Sequence, residues 1–322
     1  MKKITKSLAL GVAALSVAAS GAFAGEWPER PVTIIAAAGA GGGTDGVARI
    51  LANHLKERLG QQFNVVNQGQ AGGVVGITNM ANAEPDGYTI GLIYNFAHYK
   101  LLGQADFDYK SFRPIAQVNF DPAAFQVANG SDWQDMRQAL DAIKADPGAY
   151  SIGCGGGCGG SWPIAVATLL DQWKVDLSKV NMVPGKGAAA AMQDMVAGGF
   201  DAVPCSLPEA EALIDAGEAR SLAVFKPERL AKYPDVPTLK EATGLDLELG
   251  AWRGIVAPAG LPDEIATKLE AALDEIAHDP KWIEEMNSRG FGIRWRNSAE
   301  FTAFVKQHTD EVAAVLPALG LN

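Results

Sequence analysis

The sequence is poor in cysteine and histidine, the side chains that bind soft metal ions and serve most nucleophilic enzymes. It contains only three cysteines, and its four histidines are scattered along the chain, at His54, His98, His278 and His308. No spacing typical of a zinc site is present, so we expect no metal. There is also no Gly-x-Ser-x-Gly motif and no histidine near Cys158 or Ser161 in the chain, which disfavours a nucleophilic enzyme. We therefore expect neither a cofactor nor catalysis.

Basic residues are also in deficit. The chain has 27 lysines and arginines against 37 acidic residues, for a formal net charge of −10. This balance disfavours nucleic acid and anionic membranes as partners. A small anionic ligand remains compatible, because local donors outweigh a global field that salt screens beyond about 10 Å. Past the N-terminal segment, no apolar run reaches the roughly 20 residues that span a bilayer, so we expect no membrane helix.

The N-terminal segment has the features of a secretory signal peptide. Three lysines within the first six residues precede the apolar stretch Leu8–Ala19, and Ala22-Phe23-Ala24 fits a small-x-small cleavage site. We expect residues 1–24 to be removed by cleavage after Ala24. No cysteine follows the cut, which argues against a lipid anchor, and the expected compartment is the bacterial periplasm.

The cysteines permit two disulfide pairings. In an oxidising compartment, three cysteines allow at most one internal bridge. Cys154 and Cys158 are separated by three glycines and could close a very tight loop. Alternatively, Cys205 could reach one of them if both loops face the same cleft.

Glycine is abundant and concentrated at two turns between a strand-like and a helix-like run. Gly39–Asp45 lies between the strand-like run Val32–Ala38 and the helix-like run Asp45–Leu59. Gly153–Pro163 precedes a second helix-like run, Ile164–Trp173. A glycine-rich turn at a helix N-terminus leaves backbone N–H groups free to bind an anion. Two such turns in different halves of the chain predict that one carboxylate-bearing ligand is held between two lobes.

Strand-like and helix-like segments alternate along the chain, which predicts an α/β fold of mostly parallel sheets with flanking helices. About 300 residues after the signal peptide exceed one ordinary core, so we expect two lobes. Residues 127–250 carry βα units of their own, whereas the C-terminal helices have no separate sheet. We therefore expect a discontinuous first lobe, residues 25–126 plus 251–322, and a second lobe, residues 127–250.

Seven short motifs follow in order over nearly the whole chain after the signal peptide: Trp27–Val32, Gly41–Asp45, Ala71–Gly73, Pro85–Thr89, Val183–Gly187, Asp235–Thr238 and Ala257–Pro262. Together they resemble the extracytoplasmic receptors of tripartite tricarboxylate transporters, also called the Bug group. The resemblance implies a two-lobed Venus-flytrap fold of the type II periplasmic binding-protein kind. It also implies capture of a di- or tricarboxylate and its delivery to the membrane permease subunits of such a transporter. A receptor that signals to a membrane sensor would use the same fold. We expect a monomer.

The candidate ligand-binding residues lie in the glycine-rich turns, at strand ends and in neighbouring βα loops: Gly41, Gly42, Gly43, Thr44, Asp45, Gly72, Gly73, Asn95, Phe96, Cys158, Gly159, Gly160, Ser161, Trp162, Lys186 and Ser206. Neither glycine-rich turn contains arginine, so we expect backbone N–H groups, not an arginine fork, to hold the carboxylate. Asn95 and Phe96 follow the strand-like run Tyr88–Tyr94, at the end of a strand where open α/β sheets bind ligands.

Several candidates also have a purely structural interpretation. Asp45 could pair with Arg49 across one helical turn, and Thr44 or Ser161 could cap a helix. Lys186 could be a solvated loop lysine.

The aromatic candidates bear on the size of the ligand. Trp162 could form a wall of the site or pack on the hinge. If Trp162 and Phe96 enclose an aromatic ring beside the small residues Ala36-Ala37-Ala38, the ligand is an aromatic or other bulky carboxylate. A dinucleotide site is disfavoured, because Asn67 stands where an acidic residue is needed.

Overall fold

The structure is a computed structural model that describes residues 27–319. The predicted signal peptide and its cleavage site therefore lie outside the described residues. The strands are β1 (Val32–Ala36), β2 (Phe63–Asn67), β3 (Thr89–Ile93), β4 (Phe112–Pro122), β5 (Ala124–Ala128), β6 (Ser151–Gly153), β7 (Asn181–Val183), β8 (Val203–Cys205), β9 (Ala219–Val224), β10 (Gly250–Pro258) and β11 (Ile293–Arg296). The helices are α1 (Gly43–Leu59), α2 (Val74–Ala81), α3 (Ala97–Leu101), α4 (Met136–Ala145), α5 (Ser161–Gln172), α6 (Ala188–Val196), α7 (Leu207–Asp215), α8 (Leu239–Thr243), α9 (Asp263–Ala277), α10 (Pro280–Ser288) and α11 (Ser298–Val315).

The first lobe is built on a six-stranded sheet in the order β2-β1-β3-β10-β4-β11. β1 pairs in parallel with β2 and β3, with Val32 opposite Phe63 and Thr33 opposite Thr89. β10 runs antiparallel to β3 and β4, and β11 runs antiparallel to β4. Strands β1 to β4 thus share one direction, and the mostly parallel α/β fold is confirmed.

The second lobe repeats this arrangement. β5 lies between β8 and β9 and runs antiparallel to both. β6 pairs in parallel with β7, and a parallel bridge between Ile152 and Ala202 links β6 to the start of β8. The resulting order is β7-β6-β8-β5-β9. In each lobe, the strand that enters from the other lobe is antiparallel to both of its neighbours. This strand is β10 between β3 and β4 in the first lobe, and β5 between β8 and β9 in the second.

The chain passes between the lobes at two adjacent points. β4 ends at Pro122 in the first sheet and β5 begins at Ala124 in the second, so the first passage is Ala123. The Ala123 N–H donates to the carbonyl of Leu249 (2.8 Å), and Gly250 already pairs with Pro122 in the first sheet. The sheet therefore changes before residue 126, where the sequence placed the first boundary, because β5 is paired from Ala124 on.

Apolar side chains form separate cores in the two lobes. One face of the first sheet packs against α1, α9 and α10, with Leu51 and Trp282 fully buried. The other face packs against α2 and α11, where Phe301 contacts Trp252. The second lobe has its own core around Phe125. Among residues 27–319, no helix combines the length and the apolar character of a transmembrane span.

Candidate ligand-binding site

A cavity of about 550 Å³ lies between the two lobes. The first lobe lines it with the loops that follow β1, β2 and β3 and with the start of β10. The second lobe lines it with the loops that follow β6 and β7 and with one residue of α7. The cavity is thus formed at the carboxyl ends of parallel strands, where open α/β sheets bind ligands.

Three helices have their first residue in the cavity lining. The first turns of α1, α5 and α6 contribute Gly43, Ser161 and Ala188 to the lining. The N-terminal amides of a helix lack intrahelical acceptors, and the helix dipole adds partial positive charge at the same point. Each of these helix starts therefore favours a negatively charged group.

Half of the predicted residues line this cavity, and the other half do not. The residues in the lining are Gly42, Gly43, Thr44, Gly72, Gly160, Ser161, Trp162 and Lys186. The remaining candidates are not in the lining: Gly41, Asp45, Gly73, Asn95, Phe96, Cys158, Gly159 and Ser206.

The residues behind the wall mostly have structural partners. Asp45 pairs with Arg49 at 2.9 Å and accepts the Gly41 N–H at 2.9 Å. It therefore has the structural role that the sequence offered as an alternative to ligand contact. Asn95 accepts the Ala97 N–H at 3.3 Å, and Ser206 caps α7.

Phe96 does not face Trp162 across the cavity. It is 2% exposed and packs edge-on against Phe112 and Trp252 in the core of the first lobe. The predicted enclosure of an aromatic ring between Phe96 and Trp162 is therefore not formed. Of these two aromatic residues, Trp162 lines the cavity and Phe96 does not.

Arg253 on β10 reaches the cavity although neither glycine-rich turn contains arginine. Its Nε donates to Thr44 Oγ1 (3.0 Å), and its Nη1 donates to Asn119 Oδ1 (2.6 Å) and to the Asp121 carboxylate. The Arg253 and Asp121 side chains are 3% and 1% exposed, so this ion pair is buried. Sequence reasoning missed Arg253, whose signal was one charged residue within the apolar strand 251–257.

Glu209 was also missed, and it is the acidic side chain that lines the described cavity. Its Oε1 accepts the Gly43 N–H of the first lobe at 3.1 Å and lies 4.0 Å from Arg253 Nη2. Its Oε2 accepts from the backbone N–H and the hydroxyl of Ser206, both at 3.3 Å. The spacing Ser206-x-x-Glu209 is that of a capping box and could have located this helix start from the sequence.

Two tyrosines fix the turn before α2. The Tyr94 hydroxyl lies 2.9 Å from the Ala37 carbonyl and 2.8 Å from the Gly72 carbonyl, and the Tyr99 hydroxyl donates to the same Gly72 oxygen. Burial raises the pKa of Tyr94 and of Tyr99, so both remain protonated donors. A Cβ at Gly73 would overlap the Tyr94 hydroxyl, which explains the glycine there.

His98 and Ser161 each carry a buried polar atom without a hydrogen-bond partner among the described residues, His98 Nδ1 and Ser161 Oγ. Both residues line the cavity. His98 is 1% exposed, and burial lowers its pKa to about 3, so its imidazole is neutral. Buried polar atoms are normally satisfied, so these two unpartnered atoms are exceptions within the cavity wall.

The glycine-rich loop of the second lobe is closed by a disulfide between Cys154 and Cys158, with a Cα–Cα distance of 5.1 Å. The local pairing is confirmed, and Cys205 is free and buried. Gly155, Gly156 and Gly157 inside the bridged loop line the cavity. Within residues 27–319, no three His, Cys, Asp or Glu side chains converge on a possible metal position.

Comparison with known proteins agrees with this architecture. Residues 47–321 match the model of the tripartite tricarboxylate transporter family receptor. The chain is 29% identical to a UPF0065 protein of Bordetella pertussis, over 100% of this chain and 99% of that protein.

Solved structures show the same relationship. The periplasmic binding protein BugD is 30% identical, with a TM-score of 0.79 over 92% of this chain and 99% of BugD. MatC from Rhodopseudomonas palustris, with bound malate, is 25% identical, with a TM-score of 0.81 over 90% of this chain and 100% of MatC. The chain therefore belongs to the tripartite tricarboxylate transporter family of receptors, which are two-lobed periplasmic solute-binding proteins.

Proposed function

We propose that this protein captures a small carboxylate in the cavity between its lobes and delivers it to the permease subunits of a tripartite tricarboxylate transporter. The observation that carries the proposal is that the N-termini of α5 and α6 both border one cavity. The unpartnered polar atoms of His98 and Ser161 support it, because they lie in the same wall. The related MatC has bound malate, which is a carboxylate.

The second lobe has more groups that favour a carboxylate than the first lobe has. The N-termini of α5 and α6 and the side chain of Lys186 all border the cavity there. We propose that Ser161 Oγ and the α5 and α6 amides donate to the carboxylate oxygens, while Trp162 covers the apolar body of the ligand. The receptor then acts by binding and release alone, as a monomer, after export and cleavage behind Ala24.

The test is a thermal-shift screen of the mature chain, residues 25–322, against mono-, di- and tricarboxylates. A ligand at one hundred times its Kd stabilises the native state by about 2.7 kcal/mol, which raises Tm measurably. Ser161→Ala should weaken binding of the best ligand, because it removes a donor from the wall. Ser178→Ala is the matched control in the second lobe, where the Ser178 hydroxyl donates to Asp176 on the surface, outside the cavity lining. If uncharged solutes shift Tm and no carboxylate does, the proposal is wrong.

A further inference from the structure

A carboxylate supplied by the protein already occupies the first-lobe end of the cavity. Glu209 extends from α7 of the second lobe to the N-terminus of α1, where it accepts the Gly43 N–H at 3.1 Å. Its side chain is 9% exposed. This is the position at which the dipole of α1 would otherwise attract a carboxylate of the ligand.

Glu209 is held in place by its own helix. It is the third residue of α7, and its second oxygen completes the capping box with Ser206. Movement away from the cavity would therefore break the capping box of α7. The carboxylate is a fixed part of the wall, shared between the cap and the first lobe.

The positive charge nearby is already compensated. Arg253 forms its buried ion pair with Asp121, and Thr44 and Asn119 accept two more of its N–H groups. The remaining Nη2 points toward Glu209 at 4.0 Å. A second carboxylate of a ligand would meet the Glu209 charge at this end of the cavity, whereas the second-lobe end presents Lys186 and no acidic side chain in the described lining.

We infer that Glu209 is a specificity-determining residue that restricts the ligand to a single carboxylate. The ligand presents that carboxylate to the α5 and α6 N-termini and an uncharged or cationic end to Glu209 and Arg253. This inference rests on the proposed function. It replaces the di- or tricarboxylate expected from the sequence with a monocarboxylate.

The test compares ligands that differ only in the charge of one end. Succinate, glutarate and adipate are titrated calorimetrically into the mature protein beside their mono-amides. The wild type should prefer the mono-amides by about tenfold or more, and Glu209→Gln should reduce that preference by about tenfold, since the opposing charge is gone. Glutamine preserves the capping box. Glu241→Gln is the matched control, because Glu241 holds the same capping-box position on α8, outside the cavity.

Two results would overturn the inference: dicarboxylates that bind the wild type as tightly as their mono-amides, or a preference that Glu209→Gln leaves unchanged. If neither ligand series binds, the same comparison is made between the best carboxylate of the thermal-shift screen and its amide, and the contact between Glu209 and Gly43 is tested without ligand. Amide hydrogen exchange at Gly43 should accelerate about tenfold or more in Glu209→Ala, because the amide loses its acceptor. The Gly46 amide, which bonds to the Gly42 carbonyl, is the internal control. Equal Gly43 exchange in both proteins would show that Glu209 does not hold this amide.

Discussion

Arg253 is a buried charge whose removal leaves another buried charge behind. Arg253→Gln would leave the Asp121 carboxylate unpaired in the interior, although Asp121 still accepts the Gly292 N–H at 2.8 Å. We expect the free energy of unfolding in urea to fall by about 3–5 kcal/mol. Adding Asp121→Asn should recover part of the loss, so that the two changes are not additive. Lys240→Gln, which breaks the exposed Lys240–Asp246 pair, should cost no more than about 1 kcal/mol.

Gly43 has no room for a side chain. A Cβ there would overlap Arg253 Nη2 and lie 3.2 Å from Glu209 Oε1. Gly43→Ala must therefore displace one of these groups, and we expect about tenfold weaker binding of the best carboxylate by calorimetry. Gly130→Ala is the control, because a Cβ at Gly130 would have no atom within 4 Å and the residue lies outside the cavity lining. Normal binding by Gly43→Ala would mean that this wall tolerates rearrangement.

His98 should make the stability of the protein depend on pH. Its folded pKa of about 3 lies below the ordinary value of 6.5, so the unfolded chain binds a proton first as the pH falls. The contribution of the neutral His98 to the free energy of unfolding is then fully present above about pH 6.5 and is lost as the pH falls toward 3. Between about pH 7 and pH 5 the wild type should lose about 2 kcal/mol more than His98→Gln. The difference between the two urea-unfolding profiles isolates His98 from His308, whose pKa is also lowered by burial. Parallel profiles would contradict the expectation.

Single residues were predictable where local sequence determines their role. The glycines at the start of α1 are marked by the turn that precedes the helix. The N-caps of α1 and α5 are Gly42 and Gly160, however, so neither Thr44 nor Ser161 caps its helix. Arg253 and Glu209 were not predicted as site residues, because they come from β10 and α7, and only the tertiary arrangement places both beside Gly43.

The elements that the sequence predicted are those with a long apolar period. β1 and α1 lie within two residues of the runs Val32–Ala38 and Asp45–Leu59 that predicted them. The short elements α3, α8 and β11 were not expected. β11 has four partly exposed residues and depends on its pairing with β4, which no local pattern records.

The disulfide-bridged loop between β6 and α5 gives a prediction for this element as a whole. Closing so short a loop restricts the unfolded chain, and removing the bridge should cost about 2 kcal/mol. Cys154→Ala combined with Cys158→Ala should also weaken carboxylate binding, because glycines within the loop line the cavity. Cys205→Ala is the control that keeps the bridge. Equal affinity with and without the bridge would show that the loop is positioned by its other contacts.

At the scale of the whole molecule, the two adjacent passages between the lobes suggest a hinge. The Ala123 N–H donates to the Leu249 carbonyl, so the two crossing segments lie side by side. The sequence predicted two lobes and a discontinuous first one from the missing sheet of the C-terminal helices. It could not place the first passage at Ala123, because β4 runs to Pro122 and β5 begins at Ala124, with a single residue between the two strands.

A hydrogen bond between the lobes, away from the two passages, should limit how far the lobes open. Lys232 of the second lobe donates to the Ser288 carbonyl of the first lobe at 2.9 Å, and it also pairs with Glu211 at 2.5 Å. Lys232→Met removes this bond between the lobes, so the unliganded protein should have a larger radius of gyration in small-angle scattering. Because closure then costs more free energy, carboxylate affinity should fall by roughly threefold to tenfold, while saturating ligand restores the compact radius. Lys240→Met, whose partner Asp246 lies in the same lobe, should change neither quantity. If saturating ligand leaves the wild-type radius unchanged, the lobes do not close on the ligand and the hinge at Ala123 and Leu249 has no role in capture.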